Sequence, residues 1–171
     1  MRAKGHNVYT LVRGLLAAVF LMLLLFSCGD DQVCEDVTAN DLRIGFYETG
    51  EGGQAWTVID SLRVGSPDRP DEDIFEKIYS VSSLELPLNP SEDTSRFLLD
   101  FFTHTDTMTV SYRREKQLIS VECGFTMFFE ITGVSHTSNR ITSISIPVDY
   151  VTNNLDEHFK VYITVTGDSG L

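Results

Sequence analysis

Residues 97–112, Phe97-Leu98-Leu99-Asp100-Phe101-Phe102-Thr103-His104-Thr105-Asp106-Thr107-Met108-Thr109-Val110-Ser111-Tyr112, decide the fold. Phe97, Leu99 and Phe101 alternate with Leu98, Asp100 and Phe102, and Met108 and Val110 stand between Thr107, Thr109 and Ser111. A period of two sends successive side chains to opposite faces, which is the pattern of half-buried strands and not of helices.

Working outward, the same alternation recurs on both sides. Downstream, the charged stretch Arg113 to Gln117 reads as a turn that hands over to Ile119, Val121 and Cys123 in a hairpin. After Gly124, a candidate bulge, come Phe125, Met127, Phe129 and Ile131. Ile144, Ile146, Val148 and Tyr150 form the next predicted strand, with Pro147 marking an edge; the Asn153-Asn154 turn then leads to Phe159, Val161, Ile163 and Val165. Upstream, Asn89 to Asp93 is a turn, and Leu84, Leu86 and Leu88 alternate with Glu85 and Pro87 in a second edge strand. Ile74 to Tyr79 is ambiguous, and Ser66 to Asp73, with two prolines and four acids, reads as an exposed loop. Trp56, Val58, Leu62 and Val64 share a predicted inner face on which Asp60 is the one polar residue; Leu42, Ile44 and Phe46 precede the Gly50-Glu51-Gly52-Gly53 turn. About eight or nine short strands with no amphipathic helix predict an all-β antiparallel β-sandwich, Ig-like or related, over 41–171.

The first residues follow another logic. Arg2, Lys4 and Arg13 precede an apolar run from Leu15 to Phe26, with no acid before Asp30. That run is shorter than the roughly 20 residues a membrane span needs, so it reads as a secretory signal. Its end, Leu25-Phe26-Ser27-Cys28, resembles the lipobox of bacterial lipoproteins. The resemblance implies cleavage after Ser27, a diacylglyceryl thioether on Cys28 and an added N-acyl chain such as palmitate. The expected organisation is a signal peptide at 1–27, a lipidated linker at 28–40 and the sandwich. Gly29-Asp30-Asp31 is similar to the acidic tract behind the cysteine of Bacteroidetes-type lipoproteins, which implies an outer-membrane address.

Cleavage would leave 144 residues (171 − 27), enough for one domain. It would also remove three of 13 cations, leaving 10 basic against 25 acidic residues and a net charge of −15. Such a surface repels nucleic acid, which is excluded as a partner. Cys34 and Cys123 remain, in an oxidising compartment that favours a disulfide closing a loop of 89 residues (123 − 34). Two buried free thiols, or a metal or redox pair, are the alternatives, although no Cys-x-x-Cys spacing occurs.

Several segments together resemble a family of uncharacterised lipoproteins from Bacteroidetes-type bacteria, classed as a domain of unknown function. They are Cys28, Cys34 followed by Leu42-Arg43-Ile44-Gly45-Phe46-Tyr47, Leu84-Glu85-Leu86-Pro87-Leu88-Asn89, and Val110-Ser111-Tyr112 leading to Ser120-Val121-Glu122-Cys123-Gly124. The resemblance implies the address, the disulfide and a β fold, and it transfers no activity.

The search for chemistry finds little. His104, His136 and His158 lack metal-ligand spacing and are expected in loops or facing solvent; His104 with Asp106 is the pair to inspect first. No Gly-x-Ser-x-Gly elbow or phosphate-binding glycine loop occurs. Asp68, Asp71, Glu72 and Asp73 are candidate calcium ligands that match no standard loop, so a solvated acidic loop is the plainer reading. Tyr47, Trp56 and Tyr79 are candidate members of an aromatic ligand platform, although a lone tryptophan in a sandwich is more often core. The sequence therefore predicts a non-enzymatic, lipid-anchored envelope protein without catalytic residues, metal or cofactor. Its expected work is structural or protein-interaction; a surface glycan- or ligand-binding lipoprotein is the alternative.

Overall fold

A computed structural model describes residues 12–15, 40–50, 53–121 and 123–164. The chain divides into two compact units, Met1–Val33 and Cys34–Leu171. Of the first, only the helical residues 12–15 are described, and among the described residues no helix is long and apolar enough to cross a membrane.

The described residues of the second unit form eleven strands: β1 (Asp41–Gly50), β2 (Gly53–Trp56), β3 (Ile59–Ser66), β4 (Arg69–Val81), β5 (Ser83–Pro87), β6 (Thr94–Asp100), β7 (Thr105–Ser120), β8 (Gly124–His136), β9 (Ile141–Ser145), β10 (Tyr150–Val151) and β11 (Phe159–Ile163). Sheet A runs β2-β1-β11-β9, with β5 also pairing β1; sheet B runs β10-β8-β7-β6-β3-β4. The two sheets pack face to face as an all-β sandwich. Neighbouring strands are antiparallel except that β1 and β11 run parallel, Phe46 beside Val161.

The core follows the alternation. Leu42, Ile44 and Phe46 on β1, Leu84 and Leu86 on β5, and Phe159, Val161 and Ile163 on β11 point inward from sheet A. Phe97 and Leu99 on β6, Met108, Val110 and Tyr112 on β7, and Phe129 and Ile131 on β8 point inward from sheet B. Edge-to-face pairs join rings in the core, Phe46 to Phe101 at 6.4 Å and Tyr112 to Phe129 at 5.1 Å. Tyr112 also satisfies its hydroxyl, donating to the Asn89 carbonyl (3.0 Å) and sharing a 2.7 Å bond with Ser95.

Four expectations need correction. The charged segment 113–117 is not a turn: β7 continues to Ser120, and the turn includes Val121 and Cys123 and is closed by Gly124 at φ 73°. Residues 113–117 form an exposed ribbon with β8, where no opposing sheet demands an apolar face. The predicted loop 66–73 is cut to a two-residue turn, because β4 is a sheet edge exposed on most of its length and so carries Pro70 and acids without losing its pairing to β3. The stretch 144–150 is not one strand; the chain leaves sheet A after Ser145 and enters sheet B at Tyr150. Finally, Trp56, Val58 and Asp60 are exposed, since Ile59 takes the inner position and the burial alternation changes phase before Leu62. Opposite this phase change, β4 carries Ser80 at φ 55°.

Strand directions define two ends. The chain enters β1 at Asn40, whose side-chain amide donates to Thr126 Oγ1 (2.7 Å) and the Met127 carbonyl (3.0 Å). The turns at 67–68 and 88–93 and the turn residues Val121 and Cys123 share this entry end, and the 101–104 and 137–140 loops lie at the far end.

Candidate interaction site

At the far end, Phe102 follows β6 as the outward partner in the Phe101-Phe102 pair. Phe101 is buried in the core, whereas Phe102 is 80% exposed and adopts φ 72°, a backbone region that phenylalanine rarely occupies. Its amide donates to Asp100 Oδ1 at 3.1 Å, the local bond that holds the turn. Lys77, projecting from edge strand β4, places its ammonium 5.4 Å from the Phe102 ring centroid and 5.3 Å from that of Tyr79. The two rings and the cation stand beside a depression of about 160 Å³ lined by Ser61, Leu62, Arg63, Glu76, Lys77, Asp100 and Phe102. Arg63, which also lines the hollow, pairs with Asp100 at 3.3 Å and approaches Asp73 at 3.8 Å. Phe102 and Tyr79, bridged by Lys77, thus form an exposed aromatic rim beside a small hollow.

The predicted platform is split between the sheets. Tyr47 and Trp56 are register partners on β1 and β2, while Tyr79 lies on β4 of sheet B. Trp56 is 67% exposed, contrary to its expected place in the core. Tyr47 is fixed on the same outer face: its hydroxyl donates to Glu157 (3.1 Å), its ring lies 5.8 Å from Tyr162, and Lys160 sits 5.1 Å from its centroid. Burial and the Glu157 carboxylate both push the Tyr47 hydroxyl pKa up. Gly45 makes the room for this, because a Cβ there would run into the Glu157 carboxylate.

His104 and Asp106 do not form a pair. His104 is exposed and bonds Thr103 Oγ1 at 2.9 Å. Asp106 is fully buried, and its carboxylate takes four donors: Thr137 Oγ1 (2.6 Å) and the amides of Asn139 (2.8 Å), Arg140 (2.7 Å) and Ile141 (2.9 Å). Burial alone would raise its pKa, but these bonds prevail and hold it below the usual carboxylate range. Asp106 is thus the staple of the 137–141 loop. His158 lies in the loop before β11 but is buried there and does not face solvent; its Nδ1 accepts the Arg43 amide at 2.9 Å, and burial depresses its pKa.

Of the acids read as calcium candidates, Asp68 is paired with Arg96, Glu72 lies 3.8 Å from Arg69 and Asp73 lies 3.8 Å from Arg63. Among the described residues, no three His, Cys, Asp or Glu side chains gather into a metal-holding group. An open cleft of about 380 Å³ at the entry end, between Asp68 and Arg96 on one side and Leu88 to Glu92 on the other, is lined by these paired charges. Cys123 is disulfide-bonded. Cys28 and Cys34, the chain's other cysteines, lie outside the described residues, as does the predicted signal peptide apart from residues 12–15.

The sequence reading missed Phe102 and Lys77. The signal was present in Phe101-Phe102, where one aromatic necessarily takes the outward phase, but only the left-handed turn lifts its ring clear of the strand. Residues 61–163 match a family described as a family of unknown function, DUF6452, a span from β3 through β11. No curated protein and no solved structure matches the chain.

Proposed function

From a chain that belongs to DUF6452, a family whose function is unknown, we propose a lipid-anchored, non-enzymatic envelope module that binds another envelope protein through the Phe102, Lys77 and Tyr79 surface. The observation that carries this reading is Phe102, 80% exposed at φ 72°. A non-glycine residue in the left-handed region costs about 1 kcal/mol or more, and such strain concentrates at working surfaces. Aromatic side chains are also enriched at the centres of protein interfaces. The anchor is Cys28, supported by the basic start, the Leu15 to Phe26 run and Leu25-Phe26-Ser27-Cys28, and the address is the outer membrane, supported by the likeness of Gly29-Asp30-Asp31 to the acidic tract of Bacteroidetes-type lipoproteins. The disulfide of Cys123 joins Cys34, since lipidation occupies the Cys28 thiol.

Docking uses a face and not an added strand. The long edge β4 carries Pro70, Lys77, several acids and register irregularities against β3, features that discourage edge-to-edge pairing. The test is a photo-cross-linking residue placed at Phe102 in the lipidated protein in cells, with Leu155, exposed in the loop before β11, as the control position. A discrete envelope-protein adduct at 102 and none at 155 is the expected result. Equal labelling at both positions, or none at 102, overturns the reading.

A second reading, glycan or small-ligand binding, is favoured by one observation, the exposure of Trp56 beside Tyr47. Trp56 is the chain's one tryptophan, so its emission reports directly on that face. A glycan that shifts it, with the shift abolished by Tyr47→Ala, would support this reading; unchanged emission across a glycan panel would remove it.

A further inference from the structure

We infer that the tip of the β7–β8 ribbon, formed by Leu118, Val121 and Phe125, rests in the interfacial layer of the bilayer that holds the acyl chains of Cys28. This rests on the lipid-anchor reading and adds to it a second, non-covalent membrane contact.

The ribbon is an overhang of sheet B. Pairing of β6 with β7 begins at Thr94 opposite Ser111, whereas β7 and β8 stay paired as far as Ser120 opposite Gly124. The inward stripe of β8 continues into this overhang. Ile131 and Phe129 are buried, Met127 packs against the core, and Phe125 follows on the same face, opposite Leu118. Beyond the sandwich the stripe loses its cover: Leu118 and Phe125 are 55% and 60% exposed, and Val121 in the turn is 89% exposed. Lys116 lies beside this cluster, its ammonium 4.7 Å from the Phe125 centroid. An apolar end with an aromatic ring and a long-stemmed cation behind it suits the boundary between acyl chains and headgroups.

Two observations place the membrane at this end. Asn40 is bonded to Thr126 and Met127, so the chain enters the domain beside the ribbon tip. Cys123, in the turn itself, is disulfide-bonded. With Cys34 as its partner, six residues (34 − 28) separate the tip's covalent tether from the lipid-bearing Cys28. Six residues of chain reach at most about 20 Å. The apolar tip is therefore held close to the surface into which the acyl chains insert, while Phe102 and its neighbours face away from it.

The test uses the full chain, processed and lipidated, carrying Val121→Trp and Trp56→Phe so that the only indole is at the tip. It is reconstituted into phosphatidylethanolamine and phosphatidylglycerol vesicles with brominated acyl chains, and the wild type, with its indole at Trp56, is the reference. The expected result is tip emission shifted to the blue and quenched several-fold more than that of Trp56. A tip indole quenched no more than Trp56 overturns the inference; if it is blue-shifted but unquenched, protein and not lipid covers the tip. Mass spectrometry of the same sample reads Cys28 and the disulfide. An unmodified Cys28, or a Cys28–Cys123 bond, removes the anchor reading and this inference with it; an acylated Cys28 with an unquenched tip removes the inference alone.

Discussion

Asp106 and His158 are two fully buried titratable residues whose pKa values both lie below their ordinary positions, and they act over different pH ranges. A depressed folded-state pKa means that the unfolded chain binds protons more readily, so stability falls as pH drops below the unfolded value. For His158 the loss begins below the ordinary histidine value of 6.5, and for Asp106 below the ordinary aspartate value of 3.8. Denaturation midpoints should therefore fall between about pH 6.5 and 5, with His158→Phe flattening that portion of the curve. The variant should also cost about 1–3 kcal/mol at neutral pH, because the Arg43 amide loses its acceptor. Asp106→Asn should cost about 2–4 kcal/mol in urea unfolding, since one carboxamide nitrogen replaces an oxygen that takes two buried donors. Phe102→Gly offers the contrast: relief of the left-handed strain offsets the added freedom of the unfolded chain, keeping stability within about 1 kcal/mol of wild type. Cross-linking of the partner from Lys77, with a photoreactive residue there, should be lost in the same variant.

Among the elements, the β7–β8 hairpin depends on its turn. Gly124 has open space around a would-be Cβ and φ 73°, so Gly124→Ala tests backbone conformation apart from packing. A loss of about 1 kcal/mol in chemical denaturation is expected; no loss would mean that the ribbon tolerates another turn. Edge strand β5 is held differently. Leu84 and Leu86 are buried, while Glu85 forms an exposed ion pair with Arg43 at 2.5 Å. Leu86→Ala should therefore cost about 2–5 kcal/mol by cavity formation, and Glu85→Ala less than about 1 kcal/mol, a difference readable from urea midpoints.

For the whole molecule, the disulfide links the hairpin tip at Cys123 to the segment before β1 if its partner is Cys34. Closing a loop of 89 residues (123 − 34) restricts the unfolded chain by an amount the chain-entropy model puts at about 4–5 kcal/mol, as an upper figure. Thermal unfolding with and without reductant should show a lower midpoint when reduced, and Cys34→Ser should reproduce it. An unchanged midpoint would show that the ribbon and the N-terminal segment are already fixed by contacts such as Asn40 to Thr126.

The all-β sandwich was legible because burial on one sheet face leaves a period of two, as in Phe97, Leu99 and Phe101 or Leu84, Leu86 and Leu88. That signal weakens wherever the opposing sheet is missing. Edge strand β4 and the ribbon at 113–117 therefore read as loop and turn, although both pair with a neighbouring strand, β4 with an irregular register. Local alternation also carries no information about which sheet a strand joins, so the switch after Ser145 and the separation of Tyr79 from Tyr47 and Trp56 came only with the tertiary pairing. Asp106 looked like half of a histidine pair because Thr137 to Ile141, which binds it, lies some thirty residues away. The sequence by itself determined the strand class, the inward stripes of strands covered by an opposing sheet, such as Phe97, Leu99 and Phe101, and the cysteine positions. Tertiary structure alone decided what surrounds each stripe and each buried charge, because non-local pairing sets solvent exposure and hydrogen-bond partners.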